Sequence, residues 1–376
     1  MELKNKKLLF IHPAIRSYRK GLFAKLAETF TIEYIFTKVL KEGTFNFNDV
    51  QKSLKEISIK YKQLNEVKSI PFDNFSFGLF LLPFKKFDIA ILSSCVSIPF
   101  LFLTPLFKLF GKKVVLFEEM WRYPYEVKKY KFILPIVRIY LKYFVDVYVV
   151  TGSQVKKMLV EYFHINQEKI YIAYNTTQIT DINDNVNYLG DDSKYKILYL
   201  GRIVKYKGLD ILIEAMKGID NCELHIVGDG VFLEECQEKA KQYLKSGSYF
   251  FYGVMNHEES LGMMKQCDVF VLPTRFNLSS NVQIESWGFV VNEAMLLSKP
   301  IISTKAVGSA YDLLDDTCGK FIEPENVEEL TNAIISILDE NIDNTLGKNS
   351  FERVNKICSH EQNVEVFVKA IESLYE

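Results

Sequence analysis

The sequence predicts an α/β chain of two domains, each laid on a mostly parallel sheet. The 376 residues exceed what one ordinary core absorbs, so two domains of roughly 170 to 190 residues are expected. Short apolar runs alternate with Gly-, Pro- and Asn-marked loops and amphipathic helices, the rhythm of a parallel sheet wound by crossover helices. A composition of 48% hydrophobic and 25% charged residues belongs to a folded globular chain and argues against disorder.

The elements follow in order. Leu8 to Ile11 reads as a strand, His12 and Pro13 open a basic loop with Arg16 and Arg19, and a helix runs from about Gly21 to Glu28 before a strand from Thr31 to Phe36. Residues 41 to 75 have weak periodicity and no element is assigned there. Ile89 to Phe107 carries no charge for nineteen residues, long enough to raise a membrane span. Ser93, Ser94, Ser97, Pro99 and Pro105 interrupt it, and a strand followed by a helix from about Ser97 fits better. Lys112 to Phe117 is a strand that delivers Glu118, Glu119, Trp121 and Arg122 at its carboxyl end, where open α/β sheets place ligands. Lys131 to Tyr143 reads as a helix, Val145 to Thr151 as a strand, Ser153 to Phe163 as a helix and Ile170 to Ala173 as a strand.

The second half repeats the pattern. The strand Lys196 to Leu200 leads into Gly201, Arg202, Lys205, Lys207 and Gly208, a Gly-flanked basic loop suited to a phosphate. Glu223 to Val227 runs into Gly228-Asp229-Gly230, but Leu233 stands where a third glycine would complete a dinucleotide fingerprint. Strands at Tyr249–Phe251, Asp268–Leu272 and Pro300–Thr304 follow, then helices at 327–338 and 351–375. Between them, Val282 to Pro300 reads VQIESWGFVVNEAMLLSKP: Glu285 and Glu293 bracket a glycine turn and the start of a helix. Gly288 permits close backbone approach, and the helix N-terminus offers N–H groups and a positive dipole end to an anion.

Net charge is −1, yet the halves differ: residues 1–190 hold 28 Lys and Arg against 17 Asp and Glu, and residues 191–376 hold 18 against 30. A basic half points to an anionic surface or substrate. Two stretches interleave aromatics with cations, Phe100, Phe102, Phe107 and Phe110 near Lys108, Lys112 and Lys113, and Phe132, Tyr140 and Phe144 near Lys131, Arg138 and Lys142. They suggest an anionic membrane surface as a partner, with core packing as the alternative. Six cysteines lack any C-x-x-C or close His, which supports neither zinc nor a disulfide framework and fits a reduced cytoplasmic setting. The apolar run after Lys6 and Lys7 is too short for a signal peptide.

With these residues in place, the second half resembles the retaining glycosyltransferases of family 4. The resemblance rests on GRIVKYKGLD, HIVGDG, FYGVMNHEE, CDVFVLPT, ESWGFVVNEAM and KPIISTKAVGS, in that order, over about residues 195 to 314. It implies the GT-B architecture, two Rossmann-like domains facing an interdomain cleft. The domains would be an acceptor domain over 1–176, a linker over 177–194 and a donor domain over 195–350, with a helix over 351–376 returning to the first domain. It further implies a hexosyltransferase that moves a sugar from a nucleoside diphosphate to a glycan or lipid-linked acceptor with retention of configuration, plausibly in polysaccharide synthesis.

Carried over by position, Arg202 and Lys207 would hold the diphosphate, Glu293 the ribose hydroxyls and Glu285 the donor sugar. Backbone N–H groups of Gly288, Phe289 and Val290 would meet sugar and phosphates. Gly228, Gly230, Gly253, Val254 and Met255 would border the nucleotide. No D-x-D occurs, so no metal and no cofactor beyond the sugar nucleotide is expected, and nucleic acid is not an expected partner. The first domain departs from the family pattern: His12 to Arg16 stands where paired glycines are common, and Glu118, Glu119 and Arg122 occupy the loop where a histidine is often found. His12, Arg16, Glu118, Glu119 and Arg122 are therefore the candidates for the acceptor side. A glycosidase using Glu285 and Glu293 as a carboxylate pair would leave Arg202 and Lys207 without a role. A sugar-nucleotide epimerase or a silent binding protein on the same fold are the remaining alternatives.

Overall fold

The computed structural model describes residues 5–15, 17–37, 56–64, 76–94, 97–121, 134–179, 182, 186, 189, 193–276, 284–340 and 344–376. The chain forms two compact units, Met1–Thr177 with Cys358–Glu376, and Gln178–Ile357.

The first unit holds seven parallel strands: β1 (Lys7–His12), β2 (Thr31–Phe36), β3 (Tyr61–Gln63), β4 (Ile89–Ser93), β5 (Lys113–Glu118), β6 (Val147–Val150) and β7 (Ile170–Ile172). They lie in the order β3-β2-β1-β4-β5-β6-β7. Helices cover both faces, so central strands such as β4 and β6 are buried at every position and read as continuous apolar runs. One face packs on α2 (Ile98–Leu109) and α3 (Leu134–Phe144), with Leu103, Phe107 and Leu141 against Leu92 and Leu116. The other takes Phe23 from α1 (Lys20–Thr29) against Phe10 and Tyr34. After β6 the helix α4 (Ser153–Lys157) continues as a π-helical turn over Met158–Tyr162. The uncharged stretch from Ile89 resolves into β4 and α2, and no helix of the described residues is long and apolar enough to cross a membrane.

Three expectations change. The strand β3 escaped the sequence reading because Tyr61, Lys62 and Gln63 are all exposed on the sheet edge, leaving no alternation to detect. The helix expected over 131–143 is described from Leu134 to Phe144, and residues 131–133 lie outside the described set. The single helix expected over 351–375 is two, α11 (Thr345–Ile357) and α12 (His360–Glu372). Ser359 starts the second, its side chain accepting from Gln362 N at 3.0 Å while Gln362 accepts from Ser359 N at 3.0 Å, a reciprocal cap. That break lets α12 join the first unit, where Phe367 packs on Phe10 and Phe117.

The second unit holds six parallel strands, β8 (Tyr195–Leu200), β9 (Cys222–Val227), β10 (Tyr249–Phe251), β11 (Val269–Leu272), β12 (Ile301–Thr304) and β13 (Gly319–Ile322), in the order β10-β9-β8-β11-β12-β13. Its helices are α5 (Leu209–Ala215), α6 (Leu233–Tyr243), α7 (His257–Gln266), α8 (Phe289–Leu296), α9 (Gly308–Leu313), α10 (Val327–Glu340) and α11. The chain builds outward from β8 to β10, then returns to place β11 on the other side of β8. The order therefore reverses between β8 and β11, and the loops leaving their carboxyl ends diverge there, the usual ligand position in open α/β sheets. The five cysteines among the described residues are buried.

Candidate functional site

The loop after β8 is shaped by close backbone packing. Gly228, at the end of β9, faces the carbonyl of Gly201: a Cβ there would lie 1.9 Å from that oxygen. Gly230 meets the carbonyl of Ile203 in the same way, at 2.2 Å. The glycines of the G-x-G pair thus make room for the neighbouring loop. Below the loop, the buried Tyr199 hydroxyl donates to the carbonyl of Arg202 at 2.9 Å, and burial drives its pKa far up. Tyr199 therefore stays a neutral donor that fixes where Arg202 stands.

Lys205 to Lys207 form one 3₁₀ turn closed by Gly208, whose φ of 76° favours glycine. A Cβ on Gly208 would sit 2.0 Å from the carbonyl of Pro273, so the loops after β8 and β11 are in contact at this residue. Arg275 secures the same junction: its N–H donates to Tyr206 O at 2.8 Å, and its guanidinium pairs with Asp210. The turn directs two cations past one ring. Arg202 is exposed and donates to the Tyr206 hydroxyl at 2.7 Å, while the buried Lys207 ammonium lies 5.7 Å from the Tyr206 ring centre.

Lys207 is paired with Glu285. Glu285 is held by its backbone, its N–H donating to Ala306 O and its carbonyl accepting from Gly308 N, both at 3.0 Å. This makes a one-residue bridge to the loop after β12. Gly288 then turns the chain with φ 90° into α8, and the Trp287 indole, buried beneath, donates to Asn292 at 2.7 Å. Phe289 and Val290 form the first turn of α8, and Glu293 lies one turn on, largely buried. The His257 imidazole, at the start of α7, donates through Nε2 to Glu293 at 3.2 Å. Asn256 and Glu259 cap α7 reciprocally, which fixes that histidine. Gly253 takes φ 74°, its carbonyl accepts from Gly228 N at 2.8 Å, and Val254 beside it is exposed.

The structure thus gathers Arg202, Lys207, Glu285 and the start of α8 around the strand reversal of the second sheet. Glu285 and Glu293 have separate partners, Lys207 and His257. Residues 181–353 match the family model for glycosyl transferases group 1. The match spans nearly all of the second unit. Outside this family match, an uncharacterised glycosyltransferase of Methanocaldococcus jannaschii is 30% identical over 46% of each chain. A GDP-mannose-dependent α-(1-6)-phosphatidylinositol monomannoside mannosyltransferase of Mycolicibacterium smegmatis is 27% identical over 38% of each. The chain spans about half the length of the curated relatives it matches. Over the whole fold, HepE of Anabaena in complex with UDP superposes with a TM-score of 0.78, covering 98% of this chain and 100% of that one at 15% identity. Such neighbours share the GT-B fold of two Rossmann-like domains.

The first unit has its own charged cluster at the carboxyl ends of β1 and β5. Arg19 is buried, pairs with Glu119 and stacks its guanidinium 5.0 Å from the Phe117 ring centre. Burial holds its pKa down at about 10. His12 donates through Nδ1 to Ala14 O at 2.9 Å and turns Nε2 towards Glu119 at 4.0 Å. Glu118 is corrected: its side chain is 1% exposed and accepts from the N–H groups of Glu119 and Met120, both at 2.9 Å. It shapes its own loop and is withdrawn from any acceptor surface. Arg16 and Arg122 lie outside the described residues.

Tyr199, Tyr206, His257 and Arg275 were not singled out from the sequence. Tyr206 and His257 fall inside the motifs that were quoted, and Arg275 directly follows one. Tyr199 lies inside a predicted strand, with no signal beyond its place at the strand's end.

Proposed function

We propose that this chain moves a sugar from a nucleoside diphosphate to an acceptor hydroxyl, keeping the anomeric configuration, with the donor on the second unit. The observation that carries the proposal is the Lys207–Glu285 pair at the strand reversal, beside the exposed Arg202 and the start of α8. A diphosphate arriving there competes with Glu285 for Lys207. Because Glu285 is pinned through its backbone, the displaced carboxylate stays at the site, placed to accept from a sugar hydroxyl. Breaking the bond between the anomeric carbon and the phosphate oxygen builds negative charge on the diphosphate. Lys207, Arg202 and the helix N-terminus stabilise that charge without moving far.

Glu293, oriented by His257, takes the ribose hydroxyls, with Gly228, Gly230, Gly253, Val254 and Met255 along the nucleotide. Transfer proceeds without a divalent metal, because the two side-chain cations already supply the counter-charge. The acceptor meets the first unit near His12 and Glu119 and is a glycan or a lipid-linked sugar at the cytoplasmic face of an anionic membrane. The phosphatidylinositol monomannoside in the name of the mycobacterial relative supports a lipid-linked acceptor, and UDP in HepE supports a nucleoside diphosphate.

A panel of nucleoside diphosphates and sugar nucleotides tests this by thermal denaturation and product release. The matching nucleotide at 100 times its Kd adds about 2.7 kcal/mol of stability, and its sugar is released onto acceptor equally well in EDTA. No stabilisation by any member of the panel contradicts donor binding. Activity lost in EDTA and restored by magnesium or manganese contradicts metal independence.

A further inference from the structure

The outer helices of the first unit show the reverse of ordinary surface chemistry. In α3, Val137, Tyr140 and Leu141 face the core, yet Ile136, Ile139 and Tyr143 are each more than half exposed. Their spacing of three and four residues places them on one outward stripe, beside exposed Arg138 and Lys142. In α2, Phe102 and Leu109 are two turns apart and both more than half exposed, while Leu103 and Phe107 are fully buried. The 3₁₀ helix Phe77–Phe84 adds exposed Leu81 and Phe84. These segments adjoin: α2 contacts both the 3₁₀ helix and α3, and the rings of Phe84 and Phe110 meet edge to face at 5.0 Å. By contrast, α6 of the second unit turns Glu234, Glu235, Glu238 and Lys241 to solvent.

Part of the aromatic set named from the sequence is corrected by this geometry. Phe100, Phe107 and Tyr140 are core residues, Phe144 is half-buried and Phe132 lies outside the described residues. Phe102 and Phe110 remain at the surface.

We infer that the outer face of the 3₁₀ helix, α2 and α3 is an interfacial docking surface for an anionic lipid bilayer. Contiguous exposed apolar side chains of this kind mark an interaction site, and the charge of these segments selects the occupant. Lys86, Lys112, Lys113, Arg138 and Lys142 border the apolar positions, Lys108 is paired with Asp146 at 2.7 Å, and neither α2 nor α3 contains an acid. A second copy of the same face would set like charges against each other. An anionic surface takes the ammonium and guanidinium groups at the headgroups while the Ile, Leu, Phe and Tyr side chains enter the acyl boundary. The inference deepens the lipid-linked reading of the acceptor and rests on that reading for its role in transfer.

The test sediments the full chain with vesicles of phosphatidylcholine alone and of phosphatidylcholine with phosphatidylglycerol, at low and high salt. The wild type is expected to partition onto the anionic vesicles preferentially, and less at high salt. Ile136→Ser with Ile139→Ser, and separately Lys86→Glu with Lys142→Glu, are each expected to lower that partitioning about tenfold. Melting temperature and nucleoside diphosphate binding should stay at wild-type values, since all four side chains are exposed and lie in the first unit. Equal binding to neutral and anionic vesicles, or variants that bind like wild type, would overturn the inference. So would a wild-type dimer that the Ile136→Ser/Ile139→Ser variant converts to monomer, which would assign the face to self-association. Nucleotide binding is measured separately, so failure here is distinguishable from failure of the donor assignment.

Discussion

In the second unit, the cation at the strand reversal sits on a glycine-closed turn and is answered by one carboxylate, with a second cation, Arg202, exposed beside it. In the first unit, Arg19 is buried against Phe117 and paired with Glu119, and the nearby carboxylate Glu118 accepts from backbone N–H groups. Both sheets therefore place a cation and a carboxylate at the carboxyl ends of their strands, but among the described residues only the second adds an exposed second cation, Arg202, there. That second cation is what an incoming diphosphate needs; the balanced cluster is what holds a loop.

This contrast is broken or sharpened most strongly by Gly208→Ala. The new methyl would meet the Pro273 carbonyl at 2.0 Å in a backbone of φ 76°, so the two site loops must separate. We expect a loss of about 3 kcal/mol or more in stability of the second unit, read by denaturant unfolding, together with lost nucleotide binding. A variant as stable as wild type would show that the loops are not held together at this point.

Next in size is Glu119→Gln. It leaves the buried Arg19 without its counter-charge, and the first unit should lose about 3 kcal/mol while nucleoside diphosphate affinity is unchanged. A loss of nucleotide affinity without a loss of stability would mean the first unit's cluster belongs to the donor site after all.

The smaller effects divide the two glutamates. Glu293→Gln is expected to weaken the bare nucleoside diphosphate about tenfold, the equivalent of ~1.4 kcal/mol. Glu285→Gln removes the carboxylate that competes for Lys207, so the bare nucleotide should bind at least as tightly as to wild type while transfer slows. Equal weakening by both substitutions, measured by calorimetry, contradicts the division.

The second unit was legible because its site needs unusual backbone. Gly208, Gly228, Gly230 and Gly288 each occupy a place where a side chain would collide or where φ is strongly positive, and glycine is the letter that writes such constraints. At Gly228 and Gly230 the close neighbours are protein carbonyls. The first unit's cluster is built by a long side chain, Arg19, reaching from the start of α1 to the loop after β5. Such a meeting across a hundred residues leaves no local pattern. The same holds for His257 on Glu293, which only the fold brings together. The break at Ser359 was visible as Ser-x-x-Gln, yet the amphipathic period ran across it.

The central claim is that Arg202 and Lys207 receive the donor diphosphate, and calorimetric titration of nucleoside diphosphate into wild type and the Arg202→Ala/Lys207→Ala variant tests it most directly. Each charge-assisted hydrogen bond contributes about 1.5 to 3 kcal/mol, so the predicted result is a fall in affinity of at least about a hundredfold in a variant that remains folded. Unchanged affinity in that folded variant would contradict the account.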